Sequence, residues 1–313
     1  LITDEANIGG KAEKSGLFKT TATNNGSPSY FFRGNVTNNY VKFANQTWRI
    51  VRINDDYTVR LVMETGINSN ATSKFNPTQS DYTYMYYSNS NVTNGTKKIL
   101  DDWYNTNIAS NTAYASSVAS GNYFCEQAKL KYADANTSGN ASMYLYNDIS
   151  IPSDYLTYKC STDGNGKGLV NSNVGLLTVE EAIYAGGVPG TSIAKTSFYL
   201  NNGANSRLMS GAGFNSSAKT WIITSGGNTT QGNVASAYPI RPVVNIKADT
   251  EVVGTGTKTD PYLIQRSTLK EAILTDNTII TSKPTLTTSI NNTSDASGLY
   301  KSTDTNSGIS EEI

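Results

Sequence analysis

Several groups of residues in this 313-residue chain have types and spacings that could carry chemistry. Cys125 and Cys160 are its only cysteines. One pair in an otherwise thiol-free, polar chain points to a single disulfide formed in an oxidising compartment, with two unrelated buried thiols as the plain alternative. Closing such a loop contributes roughly 3–4 kcal/mol in the chain-entropy model. Glu180 and Glu181 are adjacent acids, but neighbours on a helix do not face each other, and Glu181 fits a capping role. Asp101 and Asp102 beside Trp103 could imitate the carboxylate pair of a glycosidase; the solvated face of an amphipathic helix explains them as well. Asp163-Gly164-Asn165-Gly166-Lys167-Gly168 opens like a calcium loop. Lys167 then puts a cation where an oxygen is wanted, and Val174 stands where the closing Glu belongs, so a tight turn is expected and no metal site is assigned. Tyr82, Tyr84, Tyr86 and Tyr87 form a period-two aromatic stripe. It is a possible ligand surface for a glycan or protein, or one face of a half-buried strand.

Composition excludes several classes. The chain has no histidine, so His-based acid/base relays, Ser-His triads and His metal sites are absent. Its 25 basic and 25 acidic side chains cancel, and without a positive face no nucleic-acid partner is expected. No apolar run is long enough for a membrane span. Leu1-Ile2-Thr3-Asp4-Glu5 does not open a signal-peptide pattern. Charged residues are 16 %, against a usual share of about 25 %; Asn, Ser and Thr take their place. Aromatics at 10 % argue against general disorder. A surface of amides, hydroxyls and tyrosines suits an extracellular, cell-surface setting. No cofactor and no catalytic residues are assigned.

The elements that must position these groups are partly legible. Tyr30–Gly34, Tyr40–Phe43, Gln46–Ile53 and Tyr57–Met63 are rich in β-branched and aromatic residues, and Asn54-Asp55-Asp56 is a hairpin turn between the last two. Lys97–Thr106 puts Ile99, Leu100, Trp103 and Tyr104 on one helical face. A second helix is expected over Gly121–Tyr132, carrying Cys125. Thr178 and Glu181 form a capping box that opens a short helix ending at Gly186-Gly187. Late strands are Thr220–Thr224 and Tyr238–Ile246, the latter placed at an edge or beside a bulge by its two prolines. Strands at both ends with helices between them indicate an α+β fold. A further helix is expected over Ser267–Leu274.

One segment recurs. Ser15-Gly16-Leu17-Phe18-Lys19-Thr20-Thr21-Ala22-Thr23-Asn24-Asn25-Gly26 aligns with Ser297-Gly298-Leu299-Tyr300-Lys301-Ser302-Thr303-Asp304-Thr305-Asn306-Ser307-Gly308, with eight of twelve positions identical. Upstream, Leu1–Glu5 is similar to Ile273-Leu274-Thr275-Asp276-Asn277. The chain is therefore expected to contain a lead-in segment (1–27), an α+β domain (28–266) and a C-terminal segment (267–313) that repeats the lead-in. If the first copy packs on the body of its own chain, the second can pack on the next body, and such a head-to-tail contact builds fibres or tandem stalks. It could dock by adding a strand to a sheet edge. Leu17, Phe18, Ile273, Leu274, Leu299 and Tyr300 are the apolar residues expected to carry assembly. The partners are then copies of the chain or adjacent repeats; a flexible linker is the alternative.

Four blocks in order carry a resemblance: Trp48-Arg49-Ile50-Val51-Arg52-Ile53-Asn54, Gly175-Leu176-Leu177-Thr178-Val179-Glu180-Glu181, Ile240-Arg241-Pro242-Val243-Val244-Asn245-Ile246-Lys247, and Gly254-Thr255-Gly256-Thr257 with Asp260-Pro261-Tyr262. They are similar to a domain family of large secreted and surface proteins of Gram-positive-type bacteria, which has no assigned activity. Trp221, the Gly226-Gly227 turn and Arg241-Pro242-Val243 resemble the end of C-type-lectin-like and formylglycine-generating-enzyme-like domains. That likeness implies a compact body with a twisted sheet, short helices and long loops. The Glu-Pro-Asn or Gln-Pro-Asp triplet of calcium-dependent lectins is absent. The expected function is a structural, noncatalytic surface unit that joins like units end to end. A loop-mediated adhesin module that binds glycan or protein is the alternative.

Overall fold

The computed structural model describes residues 15–127, 141–142, 156–160, 168–189, 198–214, 216–264, 279–280 and 299–300. It divides into two units, Leu1–Ile264 and Gln265–Ile313. In the first unit, β1 (Gly16–Thr20), β2 (Ser29–Arg33), β3 (Tyr40–Phe43), β4 (Gln46–Ile53), β5 (Val59–Met63) and β6 (Thr72–Lys74) come first. They are followed by β7 (Phe124–Gln127), β8 (Ala141–Ser142), β9 (Gly168–Val170), β10 (Val188–Pro189), β11 (Ser206–Phe214) and β12 (Ala218–Ile223). β13 (Asn228–Asn233), β14 (Ala237–Pro239), β15 (Val243–Ile246), β16 (Val252–Val253) and β17 (Tyr262–Ile264) close the unit. Mostly sheet with a few short helices, it is an α+β fold.

The larger sheet forks around β4. The Gln46–Arg49 half of β4 pairs with β3, which leads on to β17 and β16, while Arg52 and Ile53 pair with β2, which leads to β1. β5 runs along the other side of β4 and carries β15 beyond it. Trp48 and Val51 are both buried although three positions apart, because the β4–β5 ladder shifts register between Ile50 and Arg52, and the Trp48 indole N–H donates to Phe43 O at 2.9 Å. The turn into β5 closes with Asn54 N–H donating to Thr58 O and Thr58 N–H to Asp56 Oδ1. Tyr57 takes φ +67 there, so the strand starts two residues later than its β-rich sequence suggests. The smaller sheet is ordered β10-β13-β12-β11-β8 and buries Trp221.

Three structural findings correct the expected elements. Residues 124–127 form a strand paired with β9, where a helix over Gly121–Tyr132 was expected. Tyr238–Ile246 is not one strand: β14 pairs with β6, β15 pairs with β5, and Ile240-Arg241-Pro242 turns between them. The tyrosine stripe is not a strand, because Tyr82–Met85 is a 3-10 turn capped by Asp81, which accepts from Thr83 N–H at 2.8 Å. The described part of the lead-in packs on the body of its own chain, with β1 hydrogen-bonded into the larger sheet. The helix expected at Ser267–Leu274, including Ile273 and Leu274, lies outside the described residues.

Where the capping box is read from Thr178 and Glu181, it forms. Thr178 Oγ1 accepts from Glu181 N–H at 3.2 Å, and Glu181 Oε2 accepts from Thr178 N–H at 3.0 Å. The helix it opens, Val179–Tyr184, is buried on every side, as a helix in the middle of a core must be. Arg33 from β2 donates to Ile183 O at 2.5 Å and Tyr184 O at 2.8 Å. A guanidinium on the last carbonyls of a helix satisfies groups that the helix itself leaves open.

In the second unit, Ile279–Ile280 pairs in parallel with Leu299–Tyr300, with Ile279 opposite Leu299.

Candidate functional site

Seen from its residues, the lead-in lies in a slot with two sides. One side is β2, with the register Leu17 to Phe32, Phe18 to Phe31 and Lys19 to Tyr30. Phe18 is 4 % exposed and stacks on Phe31 with ring centroids 5.8 Å apart; Phe31 in turn lies 4.7 Å from the Tyr184 ring. Alternation puts Phe18 inward and Lys19 outward, as a strand on one face of a core requires. Ser15 Oγ accepts from Asn35 N–H at 2.8 Å. Gly34 adopts φ +82 beside it, and a Cβ there would collide with the Ser15 side chain.

The other side is the segment Thr157–Cys160. Tyr158 N–H and Thr157 Oγ1–H both donate to Ala22 O, at 2.7 and 3.0 Å, and Cys160 N–H donates to Asn24 Oδ1 at 2.7 Å. Cys160 is disulfide-bonded to Cys125 on β7, with Cα atoms 5.5 Å apart, inside the normal range. The single disulfide thus ties this side of the slot to the body.

A charged group stands behind it. Glu181, 1 % exposed, receives Arg60 Nε at 2.5 Å and Arg52 Nε at 3.0 Å on the same oxygen. Arg52 lies over the Tyr158 ring at 4.1 Å, and Arg60 over Phe124 at 4.6 Å. Burial lowers the Arg60 guanidinium to about 10, against the Glu181 carboxylate, which raises it. Burial pushes the Tyr158 phenol well above its usual value, while Arg52 pulls it down. A small polar pocket of about 70 Å³ lies where these residues meet Thr23, Asn24 and Lys159.

Glu181 is therefore a positioning group: it caps its helix and holds Arg52, which holds the Tyr158 ring. Removing one partner of such a buried set leaves an uncompensated charge costing about 3–5 kcal/mol. Sequence reasoning found the cap but missed the two arginines. Their only signal is a cation at every third position of an apolar strand, in Arg49 and Arg52, and at Arg60 between Val59 and Leu61. Two further guanidiniums, Arg207 and Arg241, are buried on backbone carbonyls, and burial lowers each to about 10.

The other candidate residues are placed as follows. Tyr86 and Tyr87 are core residues, the Tyr87 hydroxyl donating to Val174 O at 3.1 Å. Neither can belong to a ligand surface, which leaves Tyr82 and Tyr84 partly exposed. Asp101 and Asp102 pair with Lys97 and Lys98 one helical turn away, each at 2.5 Å. Val174 is buried, and Asp163–Lys167 lie outside the described residues. Among the described residues no helix is long and apolar enough to cross a membrane.

Comparison with known protein families, curated proteins and solved structures finds no match to this chain.

Proposed function

We propose that this chain is a noncatalytic structural unit of a bacterial cell surface that joins like units head to tail. One observation carries the proposal: the first copy of the duplicated segment is an edge strand of the first unit, whereas the second copy belongs to a different unit. A segment whose twin completes a sheet is suited to complete another body's sheet, and a contact between unlike surfaces propagates as a filament wherever its rotation does not close a ring. The forked sheet supports this, since the lead-in joins one arm and the chain leaves the first unit from the other, at Ile264. The disulfide supports an oxidising, extracellular setting. The C-type-lectin-like body and the surface-protein family are part of the same reading. Their support is the buried Trp221, the turn at Gly226-Gly227 and the strand that follows Arg241-Pro242.

Negative-stain electron microscopy of the full chain and of a chain ending at Gln265, both oxidised, tests the proposal. Fibres or end-to-end strings that vanish on truncation are expected. Single particles from both would overturn it.

A second reading, a module that binds glycan or protein, is favoured by the polar pocket beside Asn24, Arg52 and Lys159. Binding of oligosaccharides that is lost in an Arg52→Ala variant of unchanged fold would support that reading over assembly.

A further inference from the structure

Which residues differ between the two copies is informative once the slot is seen. Ser15, Thr23, Asn24 and Gly26 hold the lead-in through their side chains or through a backbone that favours glycine. Ser15 accepts from Asn35 N–H, Thr23 donates to Ser27 O, Asn24 accepts from Cys160 N–H, and Gly26 has φ +77. All four are kept in the second copy, as Ser297, Thr305, Asn306 and Gly308. The differences fall where the slot asks for less. Ala22 is used through its carbonyl, which Asp304 also has. Thr20 accepts from Ala22 N–H through its hydroxyl, and Ser302 keeps a hydroxyl. Phe18 becomes Tyr300, keeping the ring. Asn25 alone loses its group in kind, its amide oxygen accepting from Ser27 N–H at 2.8 Å, while Ser307 brings only a hydroxyl. A plain linker has no use for a serine, threonine, asparagine and glycine at these four spacings.

Resting on the head-to-tail reading, we propose that Ser297–Gly308 of one copy occupies the slot of another copy, replacing Ser15–Gly26 between β2 and Thr157–Cys160. The partner is a second copy of this chain, and the joint is a strand exchange, because each slot already holds its own lead-in. Main-chain hydrogen bonds to β2 give affinity, and the pair Asn306 to Cys160 N–H sets the register.

The test mixes two full-length variants, Lys301→Cys and Tyr30→Cys, under mild oxidation. Position 301 corresponds to Lys19, which faces Tyr30 across the strands, and Lys19→Cys with Tyr30→Cys in one chain serves as the in-register control. The expected product is a mixed dimer joined from 301 to 30, at least about tenfold above either homodimer, with Cys125–Cys160 intact by peptide mapping. Adding Phe18→Ala to the Tyr30→Cys chain should raise the yield by loosening the resident strand. Asn306→Ala on the donor should lower it threefold to tenfold, as loss of one hydrogen bond implies. A mixed dimer no more abundant than the homodimers, while the control closes within its chain, would overturn the proposal. Hydrogen exchange is a readout independent of cysteine geometry: the amides of residues 299–301 should gain protection as concentration rises, and no gain would overturn it equally. If fibres persist in the microscope without the mixed dimer, the slot is wrong and head-to-tail joining stands. If both fail, both readings fall.

Discussion

The two copies of the duplicated segment have nearly one sequence and two different partners. In the first unit, Leu17-Phe18 runs antiparallel to Phe31-Phe32 within a five-residue ladder, and Phe18 is sealed on an aromatic cluster. In the second, among the described residues, Leu299-Tyr300 runs parallel to Ile279-Ile280, and Ile279 is exposed. The local sequence therefore specifies an extended strand with one apolar face, while the partner is set by what that face finds. In the head-to-tail joining proposed above, the joint would rest on this property: the same sequence pairs with β2 in one place and with Ile279-Ile280 in the other.

Breaking each copy in turn should give unequal results. Phe18→Ala removes a buried ring from the slot and should cost about 3–4 kcal/mol of unfolding free energy by urea denaturation. Tyr300→Ala in the same assay should stay within about 0.5 kcal/mol. Equal effects would abolish the contrast. Replacing Cys125 and Cys160 together by serine releases the second side of the slot and should cost about 2–4 kcal/mol. Its hydrogen-exchange signature should be lost protection at positions 158 and 160, whose N–H groups face the lead-in; a uniform loss over the whole unit would contradict that placement.

Phe18→Tyr asks whether the slot accepts the second copy's ring, and a cost of no more than about 1–3 kcal/mol, that of burying one unpartnered hydroxyl, is expected. A cost well above that would exclude Tyr300 from the slot. The smallest effect concerns pH. Burial raises the phenols of Tyr158 and Tyr184 beneath the lead-in above the usual value of 10.0. A group whose folded pKa lies above its unfolded one contributes stability that is complete below about pH 10 and lost as the pH rises toward the folded value. Unfolding free energy should therefore begin to fall above about pH 10, with part of the phenolate absorbance appearing only on unfolding. A titration complete near pH 10 in the folded chain would contradict the burial of these rings.

How much of this was legible in the sequence follows from where the specifying interaction lies. Strands β2 to β5, the Asn54 turn and the Thr178 cap depend on near neighbours, and their pattern is visible locally. The disulfide was legible because only one pairing exists. Residues 124–127 were misread because the strand is selected by distant partners, β9 and the bridge to Cys160, which no local pattern contains. Tyr82 to Tyr87 has a strand's alternation, yet Asp81 caps a 3-10 turn there and carries Tyr86 and Tyr87 into the core. The repeat showed the candidate joint, but nothing in it revealed that its first copy belongs to the main sheet. The arginines beneath the slot were invisible for the same reason: Arg52 and Arg60 meet Glu181 across more than a hundred residues.

Peptide competition addresses the central claim most directly. A synthetic peptide with the sequence of residues 297–308 is added in excess to the oxidised full chain, and particle mass is followed by light scattering beside a scrambled peptide. The native sequence is expected to fill the slots and shift the mass toward single copies, while the scrambled one leaves the assemblies intact. Assemblies indifferent to both peptides, or a chain that is monomeric at every concentration, would contradict it.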